Sequence, residues 1–137
     1  MSTGANVELD DGTLRGVILY HHCDGYPSWM GPELERKLKQ AQAELNEAGY
    51  PYPYFWDSET VGALIVKLSV DEDGEHKNVP TFQPCLSMNE DIEYLWQVHL
   101  GPKRGEYEIR CFRVSWDSET GEIEQLDKVD WREEAKL

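Results

Sequence analysis

The sequence is short of most features that would disclose a function. Basic residues are scarce: 13 lysines and arginines stand against 27 acidic residues, for a formal net charge of −14. Such a charge repels phosphate backbones and anionic membrane surfaces, so direct nucleic-acid binding is not expected and a protein partner with a basic surface, or a cation, is favoured. Cysteine is scarce as well. Cys23, Cys85 and Cys111 are odd in number, widely separated and never spaced as Cys-x-x-Cys. Neither a disulfide framework nor a structural zinc site is signalled, and a reducing, cytoplasmic setting is the expectation. No apolar run approaches the roughly 20 residues that span a bilayer, and residues 1–12 lack the basic-then-apolar pattern of an export signal, so no membrane association is expected. No glycine-rich phosphate loop and no nucleophile motif occurs, and no cofactor is expected.

What remains suits one domain, because 137 residues can build a real core but not two comfortable ones. The acids gather in Asp71-Glu72-Asp73, in Glu90-Asp91, over residues 117–124 and in the tail to Glu134, all of them stretches read as loops. Solvated, solubilising charge is the plain reading. Mimicry of nucleic-acid charge to block a basic protein groove is an alternative, although the acids form no sustained regular array.

The densest chemistry lies in residues 17–27, Val-Ile-Leu-Tyr-His-His-Cys-Asp-Gly-Tyr-Pro, where an apolar run passes directly into polar groups. Val17, Ile18 and Leu19 favour a strand, and Asp24-Gly25 followed by Pro27 stops it. If the strand lasts to Asp24, alternation puts Tyr20, His22 and Asp24 on one face and His21 and Cys23 on the other. Tyr20-x-His22-x-Asp24-Gly25-Tyr26-Pro27 resembles a motif of a group of small bacterial and phage proteins that carry no assigned activity, with a weaker likeness at Asp91-Ile92-Glu93-Tyr94-Leu95. The resemblance implies membership of that group, a phage-related or accessory role, and no particular reaction. Cys23 stands where such sequences more often carry an aromatic or another polar residue.

Three chemistries could use this turn. In the first, His22 and Asp24 bind a metal and serve a metal-assisted hydrolase; two ligands are too few, and His99 or His76 would have to complete the set. In the second, Asp24 orients His22 and Tyr20 donates to a developing anion, but no serine or cysteine is placed as a nucleophile. In the third, the groups are satisfied locally: Asp24 caps turn amides, His22 bonds to backbone, and Tyr20 and Tyr26 pack with wet tips. A second aromatic stretch, residues 50–56, includes Tyr52, Tyr54 and Trp56 between prolines, and is read either as a partner surface or as a lid on the core edge.

Elsewhere the pattern predicts secondary structure. Residues 7–9 form a short strand before the turn at Asp10-Asp11-Gly12. Gly31-Pro32 starts a helix over 32–48, with Leu34, Leu38, Ala41 and Leu45 inward and Glu33, Glu35, Arg36, Lys37 and Lys39 on the remaining surface. Asp57 or Ser58 caps a second helix over 58–69, with a buried strand as the competing reading of its β-branched residues, and residues 79–87, with Pro80 and Pro84, are loop or edge strand. With the strand at 14–22, strands over 92–100, 107–116 and 122–127 make up the sheet, and residues 130–137 form a short helix or fray. Trp-Asp-Ser-Glu-Thr occurs at 56–60 and again at 116–120, which reads as a coincidence of cap and turn chemistry.

The expected fold is therefore α+β, a mainly antiparallel sheet with two helices packed on it. The expected function is that of a small acidic binding or interaction protein. Its recognition surface is Tyr20, His22, Asp24, Gly25, Tyr26 and Pro27 together with Tyr52, Tyr54 and Trp56; the alternatives are the hydrolase, with His22, Asp24 and His99 on a metal, and the charge mimic.

Overall fold

A computed structural model describes residues 3–13, 16–49, 56–70, 79–89 and 91–136. Nine elements follow one another: β1 (Gly4–Asp10), β2 (Val17–His21), α1 (Pro27–Glu47), α2 (Ser58–Leu68), β3 (Phe82–Cys85), β4 (Ile92–Leu100), β5 (Tyr107–Trp116), β6 (Ile123–Val129) and α3 (Trp131–Ala135). The strands form one six-stranded sheet in the order β3-β2-β1-β4-β5-β6. The class is α+β as expected, but the sheet is mixed. Two antiparallel blocks, β3-β2-β1 and β4-β5-β6, meet in a parallel pair, with Val7 opposite Trp96 and Asp10 opposite His99. Alternation along a strand is the same for either pairing direction, so local sequence holds no trace of this joint.

One face of the sheet carries the main core. Val7 and Leu9 of β1, Trp96 and Val98 of β4 meet Leu34 and Leu38 of α1 and Val61 and Ile65 of α2. Trp131 of α3 closes it, its indole donating to the carbonyl of Ile109 at 2.9 Å and its ring edge meeting Trp96. A Cβ at Gly31 would lie 2.1 Å from the Trp131 ring, so only glycine lets α1 pass under it. The opposite face has a smaller cluster around Ile92, Leu95 and Val114, flanked by Phe112 and Trp116, with no helical residue in it.

Helix α1 differs from expectation in two respects, each for a physical reason. Helix α1 begins at Pro27, five residues before Gly31-Pro32 would start it, because Pro27 is equally suited to the first turn and Met30 is drawn into the core. Pro32 then lies inside the helix. Glu33 and Lys37, expected on the surface, are buried: the Glu33 carboxylate takes the Lys37 ammonium at 2.9 Å and the Arg36 guanidinium at 2.8 Å, so each buried charge has a partner. No helix among the described residues is long and apolar enough to cross a membrane.

Candidate functional site at the exit of β2

Strand β2 stops at His21, three residues short of Asp24, and this decides which groups reach solvent. Cys23 follows a bend, and Asp24 takes a left-handed backbone with φ of 56° before Gly25. The Gly25 amide donates to Thr3 O and its carbonyl accepts from the Trp96 indole, both at 2.9 Å. A Cβ there would stand 2.6 Å from the Ala5 side chain. Tyr26 is the N-cap of α1 and Pro27 its first residue. Gly25 and Pro27 thus hold the strand-to-helix turn against β1, while the polar residues around them are carried on its rim.

The two adjacent histidines part company. His21 is 4% exposed, with its ring between Trp29 and Phe82 at centroid distances of 5.1 and 4.7 Å. Its Nδ1 meets the Cys23 carbonyl; because a carbonyl only accepts, Nδ1 carries the hydrogen. Burial pushes its pKa below the ordinary histidine value, against the opposing pull of that carbonyl and of Asp24 and Glu33, so the ring is neutral at pH 7. His22 is exposed.

The group that meets His22 is a phenol tied to a distant carboxylate. Tyr20 Oη lies 3.1 Å from His22 Nδ1 and donates to Asp91 Oδ2 at 3.2 Å. Burial, then the Asp91 charge, raises the Tyr20 pKa and keeps it a phenol. The Tyr20 hydroxyl thus bridges the Asp91 carboxylate and the His22 ring. Asp24 does something else: it accepts from Tyr26, raising that phenol, and with burial it raises Cys23. Cys23 is therefore held as a thiol, the unreactive form.

A cleft of about 260 Å³ opens here, with His21, His22 and Cys23 on one wall and Val79, Pro80, Thr81 and Gln83 on the other. A larger depression, about 460 Å³, lies where β5, β6 and α3 meet. Its arginines are engaged, Arg110 with Glu108 and Arg132 with Glu35.

Of the residues singled out in the sequence, the structure brings Tyr20 and His22 into contact and sets Asp24 with Tyr26 and Cys23 instead. Trp56 is not a surface residue: it is 5% exposed, sits in the main core, and donates to Glu106 O at 2.9 Å. Tyr52, Tyr54 and His76 fall outside the described residues. His99 cannot share a metal with His22. It pairs with Asp10 at one end of β1, whereas His21 lies opposite Ala5 near the other, five residues or about 17 Å away. Among the described residues no three His, Cys, Asp or Glu side chains converge as metal ligands. The participant missed from sequence is Asp91, 71 residues from Tyr20, and its only sequence signal is the weaker likeness at Asp91–Leu95. No protein-family model matches the chain, and no curated protein or solved structure matches it.

Proposed function

We propose that the protein is a small acidic binding module that takes a partner at the β2 exit, in an accessory and, as its motif suggests, phage-related role in the cytoplasm. The observation that carries the reading is the cleft itself: His21, His22 and Cys23 line it together with Val79, Pro80, Thr81 and Gln83, around an opening of about 260 Å³. Around it stand groups built for recognition. His22 presents an exposed imidazole held against Tyr20, and Tyr26 is 38% exposed beside Asp24. Aromatic residues with a wet polar tip are the common anchors of interfaces, and the net charge of −14 favours a partner whose contacting surface is basic.

The test is affinity capture with the wild-type chain, followed by titration calorimetry of the captured protein against wild type, Tyr26→Ala and His22→Ala. Each substitution is expected to weaken binding by about tenfold or more, the range of a central interface residue. Melting temperatures should stay within a few degrees of wild type, because both side chains lie outside the core. Identical affinities for all three proteins would overturn the proposed surface.

A further inference from the structure

The cleft at the exit of β2 holds one group that contact through Tyr26 and His22 leaves unused. His21 lines the cleft although its ring is packed between Trp29 and Phe82. Its Nδ1–H is taken by the Cys23 carbonyl and the ring is neutral at pH 7, so Nε2 keeps its lone pair. No described residue bonds that nitrogen, yet it is not among the buried polar atoms that lack a partner, so it meets open space. The open space that His21 borders is the cleft.

A negative charge stands beside this acceptor. The Asp24 and Glu33 carboxylates both favour a proton on the His21 ring. Glu33 is balanced by Arg36 and Lys37, whereas Asp24 accepts from the uncharged Tyr26 phenol and Cys23 thiol and has no cationic partner among the described residues. His22 is the remaining titratable group acting on the ring, and Trp29 of α1 and Phe82 of β3 bring no charge to it. Because burial keeps His21 neutral, it does not supply the missing counter-charge.

We infer that the cleft takes the cationic head of a basic side chain, guanidinium or ammonium, with one N–H donating to His21 Nε2 and the charge set against Asp24. This rests on the cleft being the binding surface proposed above, and it names what the partner inserts there. Size agrees. At about 260 Å³ the cleft lies below the roughly 300–1,000 Å³ of pockets for drug-sized ligands, which suits a single side chain. Val79 and Pro80 line it, and long basic side chains keep the stem on apolar surface and the head among polar groups. A carboxylate head is refused twice, by the Nε2 lone pair and by Asp24. The net charge of −14 draws a basic surface toward the chain as a whole, and one acceptor fixes where its cation ends.

Long-range proton–nitrogen NMR spectra of the histidine rings in the full chain, titrated with n-propylguanidinium chloride, test it. His21 should show a protonated Nδ1 and a bare Nε2 in the free protein. Nε2 should then shift saturably with a dissociation constant of about 1 mM, the scale for so small a ligand. Sodium chloride at matched ionic strength should leave it unmoved, and n-butanol, a donor without charge, should bind about tenfold more weakly or worse. Val79 is 47% exposed, so Val79→Lys should leave the melting temperature unchanged while weakening the probe about tenfold, by adding a charge of the same sign to the cleft. Affinity should be lost as acid protonates Nε2, because the nitrogen then donates and the ring carries the probe's own sign of charge. A His21 signal unmoved by the probe, an equal response to n-butanol or sodium chloride, an unaffected Val79→Lys variant, or binding that survives protonation of His21 would each overturn the inference. Calorimetry of the captured partner separates this site from the wider surface. Affinity that depends on Tyr26 and His22 beside an unresponsive His21 removes the inference alone, whereas affinity indifferent to both beside a responsive His21 removes the partner surface and keeps the cation site.

Discussion

The same five residues, Trp-Asp-Ser-Glu-Thr, occur in two regions of the molecule and lead to different structures. At 56–60 they open helix α2; at 116–120 they turn β5 into β6. The first steps are alike. Asp57 accepts the Thr60 amide at 2.8 Å, and Asp117 accepts the Thr120 amide at 3.0 Å. The next amide, Val61 or Gly121, then donates to the carbonyl of the same aspartate, at 2.9 Å in both. The paths separate at that residue. Val61 is fully buried and the helix continues, whereas Gly121 takes a φ of 72° and the Asp117 amide closes on Glu122 O at 2.8 Å. The pentapeptide specifies a capped turn, and the residue after it decides whether the turn propagates. The tryptophans differ too: Trp56 is sealed in the main core, while Trp116 is half-buried on the helix-free face, its indole donating to Ile92 O.

The tryptophans should separate the two regions most strongly. Trp56→Ala should cost about 3–5 kcal/mol in urea unfolding, the range for a large buried aromatic, and Trp116→Ala about half as much. Equal losses would mean that the two sites are not distinguished by burial. Next in size, Gly121→Ala forces a left-handed backbone on a residue with a Cβ and should cost about 1–2 kcal/mol by the same measurement. A neutral result would show that the turn, not the glycine, sets that backbone.

The smallest effects concern the aspartates. Asp57→Ala removes a helix cap and should cost about 1 kcal/mol. Asp117 lies at the surface, and its effect is read through pH. The Thr120 and Glu119 amides hold its pKa below the ordinary aspartate value, so the turn bonds are intact above that ordinary value and are lost as pH falls through the lowered one. Amide chemical shifts of residues 119 and 120 should therefore titrate with a midpoint below that of an unstructured peptide of the same sequence. A midpoint at or above the peptide's would remove the proposed bonds.

Legibility in the sequence tracks the range of the interactions. The strands Ile92–Leu100 and Tyr107–Trp116 have the bounds their alternation predicts, and α2 lies within a residue of its expected span, because periodicity and turn residues act locally. The edge position of β3 was legible from Pro84 for the same reason. The parallel joint was not, since it pairs residues about 90 apart that carry no mark of direction. The start of α1 was misplaced at Pro32 because Pro27 suits a first turn equally well, and the Met30 packing that favours Pro27 comes from the tertiary fold. At the site, alternation carried three residues past the end of β2 was enough to pair His22 with Asp24 in expectation, whereas the hydrogen-bonded carboxylate is Asp91, brought in from across the chain.

The parallel pair of β1 and β4 has a consequence for how the chain assembles. Strand β1 lies in the middle of the finished sheet, and its second neighbour is synthesised some 80 residues after it. A nascent chain can zip β1 to β2 within a short loop, but the flank meant for β4 waits uncovered until those residues are made. Loop-closure entropy for that last seam is met late, when the β4-β5-β6 meander already offers a formed template. The molecule is in this sense two sheets completed separately and fused, with β1 and β4 as the weld.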